Sequence, residues 1–354
     1  MQRLEIRSWI TTGITLIGAG LVAVTPGLPP AAAHIPDIQL AAGDEQITLD
    51  LVRHGESTDD ATGILGTLPP GSHLTDLGET QAADVAAAIQ NEYPDGIAGI
   101  YDSQLVRTQE TAAPLAQALG MDVQTLPGLN EIPAGILEGQ PRDLLTEIGY
   151  FAPMAAWVLG NLFVAEPGTN FNGVVFDEQV DQAVQTIYNN TIADPNGPMT
   201  DVAYSSGGPI AIWALMNVKN PPIFLLLQQL LQTLGPPPNA GQAILQGSPT
   251  DGWTMVSWDG TPVPATPDLI TGLFVDYRDL VTAPQIALWN IWQAIQGGNS
   301  ADITAALQTG FSQVVAAVEA FPQSVIDTIT GSMGDGAGSS TGDAVGDVVA
   351  ALAS

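Results

Sequence analysis

Arg53-His54-Gly55-Glu56 follows directly on the β-prone run Ile47-Thr48-Leu49-Asp50-Leu51-Val52, so an imidazole stands where a strand gives way to a loop. The arginine beside it can make charge-assisted, bidentate hydrogen bonds to an anion, and a second arginine, Arg107, stands in Ser103-Gln104-Leu105-Val106-Arg107-Thr108. Glu131, in Leu129-Asn130-Glu131, is an acid that burial would fit for proton transfer. Phosphoryl transfer needs these parts: an in-line nucleophile, positive charge on the equatorial oxygens and a proton for the leaving group. Neutral His54 would attack phosphorus and form a phosphohistidine that water later hydrolyses, replacing one difficult step by two easier ones. Taken singly, each residue has a plainer role, since a strand-end histidine is usually structural and a first-turn arginine usually solvated.

The ordered series is more specific than its members. Arg53-His54-Gly55 matches the Arg-His-Gly signature of the histidine phosphatase superfamily, the relatives of phosphoglycerate mutase, in which that histidine accepts the phosphoryl group. Ser103 to Thr108 with Thr111-Ala112 resembles the segment carrying the family's second phosphate-binding arginine. Leu129-Asn130-Glu131, then Gly135 and Glu138-Gly139, resembles the segment of the acidic proton donor. Pro167-Gly168 and the stretch from Asn239 to Trp258 follow in family order, so the likeness spans residues 47 to 264. It implies catalytic His54 and Glu131, phosphate binding by Arg53, Arg107, Ser206 and Gly207, a small phosphorylated substrate and no cofactor.

Two positions depart from the family. Its Ser-His-Gly-Gly segment reads Ser205-Ser206-Gly207-Gly208, so Ser206 stands where a second histidine is expected. A hydroxyl donates one neutral hydrogen bond and carries no charge, and loss of one such donor costs ~10² to 10³ in rate against a total enhancement of ~10⁶ or more. Asp60 stands where mutase-like members often have a phosphate-binding asparagine, and a carboxylate there repels an anion. His73, in the loop before Thr75, is a substitute for the missing imidazole or an exposed loop residue. The expected function is a slow phosphomonoesterase acting through His54. The alternatives are a non-catalytic secreted or envelope binding protein that keeps the fold, and a phosphoglycerate mutase, which lacks here a basic cluster for a bisphosphate. Nothing has the spacing of a metal site, and Ser205-Ser206-Gly207 is not the Gly-x-Ser-x-Gly elbow of serine hydrolases.

Strand and helix must alternate to bring these segments together. Thr75 caps a helix with Leu77, Val85 and Ile89 on one stripe, and Ile97 to Asp102 forms the next strand. A helix with Leu105, Ala112, Leu115, Ala116 and Leu119 on one face follows, kinked or delayed by Pro114. Val202-Ala203-Tyr204 leads into Ser205-Ser206, and Pro209 suits the first turn of the following helix. Two short strands, Gly241 to Leu245 and Trp253 to Trp258, flank a turn. The fold class is therefore α/β, a three-layer α/β/α sandwich around a mixed, mainly parallel sheet, phosphoglycerate mutase-like, with the site residues at the carboxyl ends of its strands. Gln140 to Gly168, with Tyr150, Phe151, Trp157, Leu162 and Phe163, either covers the pocket and favours apolar or bulky phosphates, or packs the core.

The 354 residues include 37 acidic and 7 basic side chains, a formal charge of -30, which repels nucleic acid and anionic lipid. There is no cysteine, hence no disulfide or thiolate site. Arg3 and Arg7 before an apolar stretch and Ala31-Ala32-Ala33 read as an export signal over residues 1–33, which predicts a secreted or cell-envelope protein. The apolar stretch is shorter than the ~20 residues of a spanning helix, and no stable membrane span is expected after its removal. The phosphatase domain is expected over 34–282 and an accessory helical segment over 283–330, with Ile303, Leu307, Phe311, Val314, Val318 and Phe321 at helical spacing. A flexible Gly/Ser-rich tail is expected over 331–354. Oligomeric state is not legible.

Overall fold

A computed structural model describes residues 45–233 and 238–334; the expected leader and all but the first four residues of the expected tail lie outside the described residues. Seven strands form one sheet: β1 (Ile47–Arg53), β2 (Gly99–Asp102), β3 (Val123–Thr125), β4 (Thr200–Ser205), β5 (Gln242–Ser248), β6 (Gly252–Trp258) and β7 (Thr261–Pro262). They lie in the order β3-β2-β4-β1-β5-β6-β7. The β3-β2-β4-β1 half is parallel and the β1-β5-β6-β7 half antiparallel, so β1 is the seam of a mixed sheet. β1 is the central strand and alternates, with Ile47, Leu49 and Leu51 on one face and Thr48, Asp50 and Val52 on the other. Its Ile47, Leu49 and Leu51 enter one apolar cluster, while Val52 enters another with Ile100, Val202 and Tyr204.

Those two clusters are the two sides of the sandwich. After the short α1 (Thr58–Thr62), α2 (Asp76–Glu92) and α3 (Val106–Leu119) cover the Val52 side. The other side is covered by α4 (Leu144–Val158), α5 (Gly173–Ile192) and α6 (Gly207–Asn217). Thr75 caps α2 by accepting from Gly78 N at 3.1 Å. Its buried stripe runs Gly78, Ala82, Val85 and Ile89 at helical spacing; Leu77 falls beside it and is exposed, contrary to the sequence reading. In α3, Leu115 is fully buried and Leu119, in the last turn before Gly120, is largely exposed. Pro114 lies inside α3 without delaying its start at Val106.

The chain continues through α7 (Ile223–Thr233) and the β5–β6 hairpin to a pair of long helices, α8 (Leu269–Gly297) and α9 (Ser300–Gly334). The boundary expected at 282/283 falls in the middle of α8, because helical spacing begins at Asp268, whose carboxylate caps the helix. The first half of α8 is tied to the sandwich by buried Arg278, which donates from Nη1 to the carbonyls of Leu215 and Val218, each at 3.0 Å. The stripe expected in α9 is divided: Ile303, Val314 and Phe321 are half-buried, whereas Leu307, Phe311 and Val318 are exposed. A small residue brings α9 close to its neighbour, since a Cβ on Gly310 would lie 3.1 Å from that of Ala287. Among the described residues no helix is long and apolar enough to cross a membrane.

Candidate active site

β1 ends at the middle of the sheet, and the residues just past its carboxyl end are buried rather than splayed into solvent. The backbone N–H of His54 donates to Ser205 O at the end of β4, 3.0 Å away, which extends the parallel pairing into the loop. Gly55 then passes so close to α2 that a Cβ would lie 2.5 Å from Gly78 O, and its N–H donates to Thr111 Oγ1 on α3 at 3.0 Å. Only glycine permits that approach. The Arg-His-Gly turn is thus fastened to β4, α2 and α3 at once.

The His54 ring is 3% exposed, with Nδ1 2.7 Å from Gly55 O and Nε2 accepting from Arg107 Nε at 3.0 Å. A carbonyl only accepts and an arginine only donates, so Nδ1 carries the proton and Nε2 presents its lone pair. Burial and then the charges of Arg107 and Arg53 lower the imidazole pKa to about 3, so the ring is neutral. Arg107, also buried, donates from Nη2 to Ser206 Oγ at 3.3 Å and lies 3.9 Å from Glu131 Oε2. Its Nη1 is buried without a hydrogen-bond partner on the side of Gly71, where an added Cβ would lie 3.0 Å from it.

Glu131 Oε1 accepts from Ile132 N at 3.0 Å and from the Tyr150 hydroxyl at 3.2 Å. A Cβ on Gly208 would lie 2.9 Å from the same oxygen, so glycine at that position leaves room for the acid. Ser206 is fully buried at the N-cap of α6 but makes no side-chain cap, and Gly207 and Gly208, the first two residues of the helix, line the cleft. Helix N-termini favour anions because their first amides have no partner within the helix. His54, Glu131, Arg53, Arg107 and Gly207 all line one cleft, and Ser206 sits behind them against Arg107.

Asp60 lies in that cleft as well. It completes a capping box on α1, with Oδ2 accepting from Ser57 N at 3.0 Å and Ser57 Oγ at 2.8 Å, and its Oδ1 accepts from Arg53 Nη2 at 3.2 Å. His73 is elsewhere. It is exposed, paired with Glu110 at 2.6 Å and outside the cleft, so it is the exposed loop residue of the two readings. The segment from Gln140 to Gly168 divides its labour: Tyr150 and Phe151 line the cleft, Trp157 packs in the core on Phe176 at 5.7 Å, and Phe163 lies against Trp289 at 6.5 Å.

The cleft also holds residues that the sequence did not mark, Asp59, the loop from Ile64 to Thr67 and, as its third arginine, Arg142. Arg142 lines the site, with its backbone N–H donating to Gly63 O at 2.8 Å and its Nε to Glu147 Oε1 at 2.6 Å. No motif marks it; the signal was that this chain has so few cations. Among the described residues no group of acids and histidines is placed to hold a metal ion.

The comparisons with known proteins bear on the same stretch of chain. Residues 49–192 match the model of the histidine phosphatase superfamily (branch 1). They belong to the histidine phosphatase superfamily. The chain is 45% identical over 298 residues to the PE-PGRS family protein PE_PGRS11 of Mycobacterium tuberculosis, covering 82% of this chain and 49% of that protein. It is 43% identical over 97 residues to a probable phosphoglycerate mutase, GpmB, of Yersinia pestis, covering 27% of this chain and 43% of that one. The chain thus spans about half or less of the length of these curated relatives. The solved mycobacterial glucosyl-3-phosphoglycerate phosphatase is 20% identical, with a TM-score of 0.46 and coverage of 61% of this chain and 100% of that one. The histidine phosphatase domain holds every residue of the cleft from the turn after β1 to Tyr150, while Ser206 and Gly207 follow it in the chain.

Proposed function

We propose that this protein is an exported phosphomonoesterase that works through a phosphohistidine on His54. The observation that carries the reading is the lone pair of a neutral His54 Nε2, held 3.0 Å from the Nε of a buried guanidinium. A phosphoryl group entering there meets a nucleophile and its charge clamp together. Arg53 and Arg107 hold the equatorial oxygens. Glu131 protonates the leaving oxygen and then takes a proton from the attacking water. Ser206 bonds Arg107, and with no second imidazole beside the phosphoryl group the rate is low, by ~10² to 10³ for one missing donor.

The leaving group we propose is apolar or bulky. Leu144, Ile148 and Phe151 fall at i, i+4 and i+7 on α4, so one stripe runs from solvent, where Leu144 and Ile148 are exposed, to Phe151 in the cleft. A phosphate-binding protein without turnover is the second reading, favoured by Ser206 and Asp60. Phosphate release from aryl phosphates by the mature protein decides between the two: turnover that His54→Ala abolishes supports the enzyme, and binding without release supports the other. Export rests on the Arg3/Arg7 and Ala31-Ala32-Ala33 pattern, and mass spectrometry of the extracellular protein tests it by locating the new N-terminus near residue 34.

A further inference from the structure

An anion pocket with a carboxylate built into its wall poses a chemical problem. Asp60 Oδ1 shares Arg53 Nη2 with whatever oxygen that arginine is to bind, and a fully ionised phosphoryl oxygen placed there faces a like charge at short range. Asp60 cannot swing away cheaply, because Oδ2 is fixed by the Ser57 amide and hydroxyl that cap α1. Burial pushes its carboxyl up, but the charge of a protonated His54, the Arg53 guanidinium and the Ser57 bonds outweigh it and hold the group down to about 2, so above about pH 3 an ionised Asp60 stands beside a neutral His54. Asp60 therefore stays an acceptor. The arrangement suits a ligand that brings its own proton.

We propose that Asp60 makes this site select the singly protonated phosphoryl group, whose P–OH donates to Asp60 Oδ1 while the remaining oxygens face Arg53 and Arg107. The inference deepens the phosphatase reading and rests on it. In the transfer step the P–O ester bond breaks as a P–Nε2 bond forms on His54. The ester oxygen leaves with the proton of Glu131, and the phosphoryl proton stays on the oxygen facing Asp60. Water then adds to phosphorus, gives one proton back to Glu131 and releases dihydrogen phosphate, leaving His54 as it began. The other titratable and charged groups lining the cleft with Asp60 are Arg53 and His54 at the end of β1, Asp59 on its own helix, Arg107 on α3, and Glu131 and Arg142. His54, with a pKa of about 3, stays neutral over the range tested and the arginines stay charged.

Calorimetric binding of inorganic phosphate to the mature protein between pH 5 and 9, with chelator present, tests the inference without turnover. Wild-type affinity is expected to fall about tenfold per pH unit above the second ionisation of phosphate, and Asp60→Asn, whose amide donates to the dianion and keeps an acceptor for Ser57, to remove or reverse the fall. Repeating the titration in Glu131→Gln removes that group's own ionisation from the profile. A wild-type affinity that is flat or rises with pH overturns the inference, and so does binding that vanishes on chelation, which would put a cation between Asp60 and the phosphate. Turnover of phenyl phosphate is followed separately. Its absence at every pH, with phosphate bound, rejects the enzyme and leaves the selection by Asp60 standing; its presence with an Asp60→Asn profile unchanged from wild type rejects the selection alone. Absence of phosphate binding at every pH rejects both.

Discussion

Arg107 Nε points at His54 Nε2 across 3.0 Å, and the same guanidinium reaches Ser206 through Nη2. One side chain thus fixes the tautomer of His54 and spans the distance to Ser206. Lysine at position 107 keeps the charge but not the fork, so Arg107→Lys is expected to lower kcat/KM by ~10² to 10³ and to leave the fold intact. Steady-state kinetics with a matched circular dichroism spectrum checks it, and a change of only a few-fold would show that Arg107 is not the clamp.

The neutrality of His54 is directly observable. Burial, followed by Arg107 and Arg53, places its pKa at about 3, so the ring is expected to stay neutral, with the proton on Nδ1, from pH 8 down to pH 5. Nitrogen chemical shifts of the imidazole report this, and a ring that titrates near the ordinary histidine value contradicts it.

Three carboxyls inside the sandwich make stability depend on pH in an uncommon direction. Burial raises Asp50, Asp177 and Asp201 from 3.8 to about 7 each. A group whose folded pKa lies above its unfolded value binds more protons when folded, so its contribution is full below about 3.8 and is lost as pH rises through about 7. The melting temperature is expected to be higher at pH 5 than at pH 8. Asp201→Asn, which keeps a partner for Thr191 Oγ1, should flatten the difference, and equal melting temperatures at the two pH values would reject the account.

Arg278 tests where the domain ends. Its removal leaves the carbonyls of Leu215 and Val218 buried and unsatisfied, at about 1–3 kcal/mol for each lost partner. Arg278→Ala is expected to lower the denaturation midpoint substantially while leaving KM unchanged, since the residue is not in the cleft. A midpoint equal to that of wild type would make the first half of α8 an appendage, like the accessory segment expected from residue 283 onward.

The stripe on α4 predicts selectivity. Leu144→Ser and Ile148→Ser together are expected to raise KM for naphthyl phosphate by about tenfold and to leave KM for a small phosphate ester unchanged, since each exposed apolar side chain contributes about 1 kcal/mol or less when partly covered by ligand. Equal effects on both esters would return the stripe to a purely structural role.

Much of this was written in local sequence. The run Ile47 to Val52 was legible from its β-prone residues, and Arg53-His54-Gly55, Glu131 and Ser205-Ser206 were legible because each stands at the end of a strand or in a turn with a signature of its own. What neighbours in the chain could not specify was decided by elements distant in sequence. Arg142 joins the site because its amide pairs with Gly63, a contact across the cleft wall that no local pattern encodes. Leu77, Leu119 and half of the α9 stripe are apolar by sequence yet exposed, since helical spacing says which residues share a face and not whether another element covers it. Asp60 shows the same limit in charge: its identity announced repulsion, but only the fold put Ser57 on one oxygen and Arg53 on the other, and so made it a fixed acceptor 3.8 Å from His54 Nδ1.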